Sequence, residues 1–211
     1  FLRAEILGTT GAGKSTLARG LAHEMSNVRT GLPYRKSPVA MILSAAQALK
    51  IVGLPRNRID IQVWKNTAQL LFFRRACQKG VIGQTSPASH LLLDQGPLFQ
   101  LILAGKEGLF ALESSLAEDV LKHFNRIGGI GINLKMDRNT LRQRVVDRTG
   151  QPTRGAEISD SAFEAFATDY DTRFQALTSA LERTCEITSQ PTPEQTVQAA
   201  LENIAEIRKQ L

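Results

Sequence analysis

Apolar positions along the chain follow two rhythms, and the places where the rhythm changes predict where elements begin and end. "RAEIL" (Arg3 to Leu7) is a short, nearly continuous apolar stretch running into Gly8, the pattern of a buried strand. In "TLARGLAHEM" the residues Leu17, Leu21 and Met25 recur at helical spacing. Gly31, Pro33 and Pro38 mark a loop, Val39 to Val52 reads as an apolar helix, and Pro55 is expected to end it. Leu91 to Leu93 reads as a buried parallel strand that ends in Asp94. Ile130 to Met136 and Cys185 to Thr188 are expected to be two more strands, and Arg142 to Arg148 a helix stopped by Gly150.

A long helix follows from Phe163, Phe166, Tyr170, Phe174 and Leu177, with Ser161 and Glu164 as its capping box. The last helix is expected to open with Thr192 as N-cap, Pro193 at the first position and Gln195 completing a second box. Strands alternating with helices predict an α/β fold of three layers, with a mainly parallel sheet of about five strands flanked by helices. No repeat, linker or low-complexity segment divides the chain, so residues 1–211 are expected to form one domain.

Composition narrows the partners. The 26 lysines and arginines exceed the 20 acids, for a net charge of +6, which favours anionic ligands. No basic run is longer than two residues, and aromatics are not interleaved with the basic positions, so no nucleic-acid partner is expected. Cys77 and Cys185 can build neither a disulfide framework nor a zinc spacing, which suggests a reducing, cytoplasmic setting. No apolar run approaches the roughly 18 residues of a membrane span, so no membrane partner is expected. The first residues lack the order of a signal peptide, although a chain starting at Phe1 leaves open a leader removed before it.

The chemistry is concentrated in "GTTGAGKST". Gly8, Gly13, Lys14 and Ser15 fit the G-x-x-x-x-G-K-[ST] pattern between a strand and a helix, the context of a phosphate-binding P-loop. The backbone N–H groups of Gly8, Thr9, Thr10, Gly11, Ala12 and Gly13 would turn inward around a polyphosphate, reinforced by the positive end of the following helix. Lys14 would reach the β- and γ-phosphates and Ser15 would offer its hydroxyl to Mg²⁺, with Thr16 in the first helical turn; the cofactors expected are ATP and Mg²⁺. A regulatory GTPase is disfavoured. In "DQGP" the glycine comes one place early for a switch motif, and in "NLKMD" a leucine separates Asn133 from Lys135.

Asp94 would emerge at the carboxyl end of its strand, on the same sheet edge as the P-loop. There it can help hold Mg²⁺ or take the proton of an attacking hydroxyl; alternatively it is a turn-starting Asp before Gly96 and Pro97. Arg144 and Arg148 share a helix face and Arg154 lies beyond the turn. Together they are candidates for a lid over the transferring group, about residues 142–158, with a solvated basic face as the alternative for each.

In order and spacing, "GTTGAGKST", "LLFFRRACQ", "LLLDQGP" and "RQRVVDRTGQPTR" together make the chain resemble the thymidylate kinase-like branch of P-loop nucleoside and nucleotide kinases. The resemblance implies phosphoryl transfer from ATP to a small-molecule acceptor, a nucleoside or nucleoside monophosphate, and allows a homodimer. It also implies that Phe72 or Phe73, with Arg74 or Arg75, meets the acceptor base; core packing and a surface position are the alternatives. The acid of that family is normally followed by arginine, but here the follower is Gln95. This removes a charge from the expected monophosphate site and keeps open a sugar, glycan precursor or other metabolite alcohol as acceptor; from a different class, a non-catalytic regulatory module that uses the P-loop only as a nucleotide switch is the rival. Arg35 and Lys36 could meet an anionic acceptor or be solvated. Tyr170 and Arg173 are most simply part of the core helix, with the border of the acceptor pocket as the alternative.

Overall fold

The structure, a computed structural model, describes residues 2–32, 37–56, 58–82, 90–106, 114–147 and 159–209. Its elements follow in the order β1 (Arg3–Leu7), α1 (Lys14–Glu24), β2 (Val28–Thr30), α2 (Pro38–Val52), α3 (Arg58–Gln78), β3 (His90–Asp94), α4 (Pro97–Lys106), α5 (Ser115–Arg126), β4 (Gly129–Lys135), α6 (Arg138–Val146), α7 (Asp160–Ser179), β5 (Thr184–Thr188) and α8 (Pro193–Lys209). The five strands form one sheet in the order β2-β3-β1-β4-β5. Every pairing is parallel, so each crossover carries helices to a sheet face and both faces are covered.

Alternation along the strands sorts the core into two layers. Leu2, Ala4 and Ile6 face the side of α1, α6 and α8, together with Leu17, Leu21, Leu141, Val197 and Ile204. Leu7, Leu91 and Leu93 face the other side, against α3, α4, α5 and the aromatic stripe of α7. Helix α3 is enclosed: Ala68, Leu70, Leu71, Phe72, Phe73 and Ala76 are all buried. It packs against α2, α4 and α5, and Trp64 Nε1 donates to the Ala45 carbonyl at 3.1 Å across the α2/α3 contact.

Several boundaries differ from the sequence reading. The long helix is capped by Ser159, whose Oγ accepts from Ala162 N–H at 3.3 Å, rather than by Ser161 with Glu164. Helix α2 stops at Val52 with Gly53 as its cap, ahead of Pro55, because glycine adopts the positive φ of 78° there. Helix α6 starts at Arg138, four residues before the expected Arg142, because Asp137 caps it by accepting from Thr140 N–H at 2.9 Å. The opening of α8 agrees: Thr192 Oγ1 accepts from Gln195 N–H at 3.3 Å, with Pro193 at the first position. Strand β2 and helices α4 and α5 have no counterpart in the sequence reading.

Candidate active site

Two parallel strands that are neighbours in the sheet, β1 and β3, deliver the central residues to one edge. Their register pairs Ile6 with Asp94, so the chain leaves β1 into the P-loop beside the point where β3 ends in its acid. Gly13 takes a φ of 95° as the N-cap of α1, a left-handed conformation that glycine adopts without penalty, and it turns the loop into the helix. At the start of the loop, Gly8 (φ 146°) passes so near β4 that a Cβ there would meet the Leu134 carbonyl oxygen at 2.6 Å.

Lys14 is buried, and its ammonium donates to the carbonyls of Gly8 at 2.7 Å and Thr9 at 2.9 Å, 5.5 Å from the centre of the Phe99 ring. These contacts fix the cation in the mouth of the loop, where it would face any anion held by the loop's N–H groups. Ser15 Oγ donates to Asp94 Oδ2 at 2.5 Å. The second oxygen, Asp94 Oδ1, is buried and has no hydrogen-bond partner among the described residues. A hydroxyl, a carboxylate and an unsatisfied oxygen beside a phosphate loop suit Mg²⁺, which keeps several waters and takes only one or two protein carboxylates alongside phosphates. Among the described residues there is no group of three or more His, Cys, Asp or Glu that could hold a metal ion.

Arg144, on α6, lies over the loop, with its Nη1 3.7 Å from where a Cβ on Gly13 would stand. It helps line a cavity of about 240 Å³ with Ala12, Thr16, Leu134, Gln190 and Pro193, between the loop and the start of α8. Arg148 and Arg154 lie outside the described residues, as does Arg35.

The expected acceptor contacts fall elsewhere. Phe72 has 0% exposure and belongs to the core under the sheet, as does its neighbour Phe73. Arg75 Nη2 donates to Gln47 Oε1 at 2.7 Å, across α2/α3, and Arg74 pairs with Asp119 on α5. Neither the aromatic nor the arginine therefore lines the cavity beside the loop: α3 is covered on several sides, which turns this stretch into packing. Gln95 is exposed and holds a left-handed φ of 66°, in the turn between β3 and α4.

A cavity of about 330 Å³ instead opens beside Thr10 of the P-loop, walled by Phe99 and Ile102 on α4, Gln62 on α3, and Phe166, Tyr170 and Arg173 on α7. Arg173 is held by Asp169 at 3.0 Å. Tyr170 and Arg173 thus border this cavity, while Tyr170 also packs in the core, as the sequence reading expected. Gln62 and Phe99 had no local signal in the sequence.

Glu5 was also missed, although an acid inside an apolar strand is itself a signal. It is fully buried; Oε2 accepts from Leu98 N–H at 2.9 Å and Oε1 from Phe99 N–H at 2.7 Å. The carboxyl thereby satisfies donors that the first turn of α4 would otherwise leave orphaned. A side chain at Gly96 would collide with it, a Cβ falling 2.7 Å from Oε2. Burial pushes the Glu5 carboxyl up to about 8, opposed by these backbone donors and reinforced by the charge of Asp94. Burial likewise pushes the Cys77 thiol up to about 12 and Cys185 up to about 11, which leaves both protonated and poor nucleophiles.

No family model and no curated protein matches this sequence. Among solved structures, the chain is similar to deoxyadenosine kinase from M. mycoides with dCMP and a flexible dCDP bound, at 14% identity over 97% of this chain and 100% of that one, with a TM-score of 0.57. It is also similar to shikimate kinase from Bacteroides thetaiotaomicron, at 15% identity over 97% and 98%, TM-score 0.54. Shikimate kinase from Acinetobacter baumannii in complex with shikimate is a further match, at 15% identity over 98% and 94%, TM-score 0.52. At such identities the likeness establishes the fold: the chain has the five-stranded parallel α/β architecture of these P-loop kinases.

Proposed function

We propose that the protein transfers the γ-phosphoryl group of ATP, with Mg²⁺, to the hydroxyl or phosphate of a small acceptor, with a nucleoside or nucleoside monophosphate as the favoured class. The observation that carries the proposal is a second cavity opening on the P-loop itself, between Thr10 and Phe99, with Lys14 against the same phenylalanine. A nucleotide switch needs only one ligand site; a kinase needs two that meet at the transferring group.

On this reading the loop's N–H groups and Lys14 hold the donor phosphates, and Arg144 closes the donor cavity. Ser15 and Asp94 would hold Mg²⁺, which when bound neutralises charge on the phosphate oxygens. Asp94 Oδ1 would accept the proton of the attacking hydroxyl, a role supported by its having no hydrogen-bond partner among the described residues. The aromatic walls from Phe99, Phe166 and Tyr170 suit a planar heterocycle, with the Gln62 amide as a polar reader at its edge. This keeps the resemblance to the thymidylate kinase-like branch while moving the acceptor contacts away from Phe72 and Arg75. A metabolite alcohol is the second reading. Gln95 favours it, since it puts a neutral residue after the acid where a monophosphate-binding relative has arginine.

ADP release from MgATP across nucleosides, nucleoside monophosphates and metabolite alcohols tests the proposal. One acceptor class should stimulate turnover strongly, and Lys14→Ala should lower that turnover about a hundredfold to a thousandfold. Tight ATP binding without acceptor-stimulated turnover, or near-normal turnover in Lys14→Ala, refutes it.

A further inference from the structure

Tyr170 is 3% exposed, yet its hydroxyl has no hydrogen-bond partner among the described residues. Leaving a buried hydroxyl unpaired costs free energy that a phenylalanine would avoid, so core packing alone does not account for the oxygen. The ring is held from three sides: Phe174 stands edge-on at 4.6 Å, Phe166 lies at 5.9 Å and Phe99 at 6.4 Å. Two of those rings, Phe99 and Phe166, line the acceptor cavity with it. The hydroxyl is therefore pre-positioned, and a ligand that met it would pay little to order it.

We infer that Tyr170 is the specificity-determining residue of the acceptor cavity, its hydroxyl donating to an uncharged oxygen or ring nitrogen of the acceptor. This rests on the kinase reading above and names the group that its acceptor must carry. Its neighbours set the chemistry. Burial and the carboxyl of Glu5 raise the phenol above its ordinary range, so it stays protonated and serves as a donor. Glu5 lies behind it on β1, and Arg173, one turn along α7, is compensated by Asp169. A phosphate or carboxylate at this contact would lose its hydration against largely aromatic walls, where Arg173 is already paired with Asp169. A hydroxyl or heterocyclic carbonyl would meet only the donor. Tyr170 is a reader of the acceptor, separate from the phosphate-handling residues Lys14, Ser15 and Asp94.

The test compares the full chain with Tyr170→Phe. Thermal unfolding is followed without ligand, and binding of deoxyadenosine, thymidine and shikimate is followed by calorimetry alongside ADP release. Because the hydroxyl is unpaired, the variant should melt at or above the wild-type temperature. It should bind the accepted probe about tenfold to a hundredfold more weakly, with KM for ATP unchanged within twofold. A lower melting temperature would mean that the oxygen serves the fold, and unchanged acceptor binding would mean that it serves nothing in the cavity; either overturns the inference while leaving the kinase reading intact. Failure of all three probes to bind the wild type overturns the inference as well. Binding that depends on Tyr170 without ADP release supports the subsite and refutes the kinase reading.

Discussion

Replacing Glu5 with glutamine should remove a pH dependence of stability that the wild-type protein owes to one buried carboxyl. In the unfolded chain the group titrates at its ordinary 4.5, and in the folded chain burial pushes it up to about 8. Between those values the folded protein holds a proton that the unfolded chain has released. The stability it confers is complete below about 4.5 and is lost as pH rises through about 8. At about 1.4 kcal/mol per pH unit, the window carries roughly 5 kcal/mol if the full displacement is realised. The carboxyls of Glu5 and Asp94 repel, which steepens the loss; the N–H groups of Leu98 and Phe99, which favour the ionised form, oppose it. Glutamine is close in shape and neutral at every pH, but its amide nitrogen cannot accept from a backbone N–H. It should therefore cost about 1–3 kcal/mol at pH 5, whereas by pH 8.5, where the wild type has lost about 4 kcal/mol across the window, the variant should be the more stable of the two by about 1–3 kcal/mol. Urea unfolding of both proteins at pH 5, 6.5 and 8.5 reads the difference directly. If the wild type gains stability relative to the variant as pH rises, the first turn of α4 holds Glu5 ionised, and the argument from burial is wrong.

Two further substitutions separate packing from chemistry. Phe72→Ala should destabilise the fold by about 3–5 kcal/mol in denaturant unfolding, the cost of a cavity in a closed core, while KM for the acceptor stays unchanged in the surviving folded protein. A selective rise in that KM would restore Phe72 as a substrate contact. Asp94→Asn keeps an acceptor for the Ser15 hydroxyl but loses the charge. It should lower turnover about a hundredfold or more and abolish the tightening of ATP binding by Mg²⁺, as measured by calorimetry with and without EDTA.

What could be read from the sequence depended on how locally the chemistry is written. The P-loop motif is nine consecutive residues whose backbone conformation would do the proposed phosphate binding, so composition and spacing define it. Asp94 could be read for a related reason: a buried strand ends there, and parallel sheets bring such ends to one edge. The wall of the proposed acceptor cavity is written differently. Thr10, Gln62, Phe99 and Tyr170 come from four distant segments, and no window of sequence contains their juxtaposition. "LLFFRRACQ" misled because its residues have the right types for a substrate wall, while the covering of α3 by α2, α4 and α5 decides that the phenylalanines pack inside. Strand β2 is three residues long at the sheet edge, too short for alternation to register.

Strained and unsatisfied groups also lie close to the proposed site. At the carboxyl ends of β1 and β3 the fold tolerates arrangements that a core built only for stability would avoid. Among the described residues Asp94 Oδ1, Gln100 Oε1 and the Tyr170 hydroxyl are buried without hydrogen-bond partners, as are side-chain nitrogens of Arg29, Asn66, Arg74, Arg75 and Arg138 on other elements, and Glu5 is a fully buried acid. Gln95 adopts a left-handed backbone conformation that costs a residue with a side chain of the order of 1 kcal/mol. Gly96 is excluded from bearing a side chain by the carboxyl behind it. Costs of this kind persist where the same groups are used by a ligand, because stability and preorganised function draw on one free energy. On the proposed kinase reading, the turn that joins Asp94 to α4, with the left-handed Gln95 and the side-chain-free Gly96, would be the place where acceptor and metal are aligned.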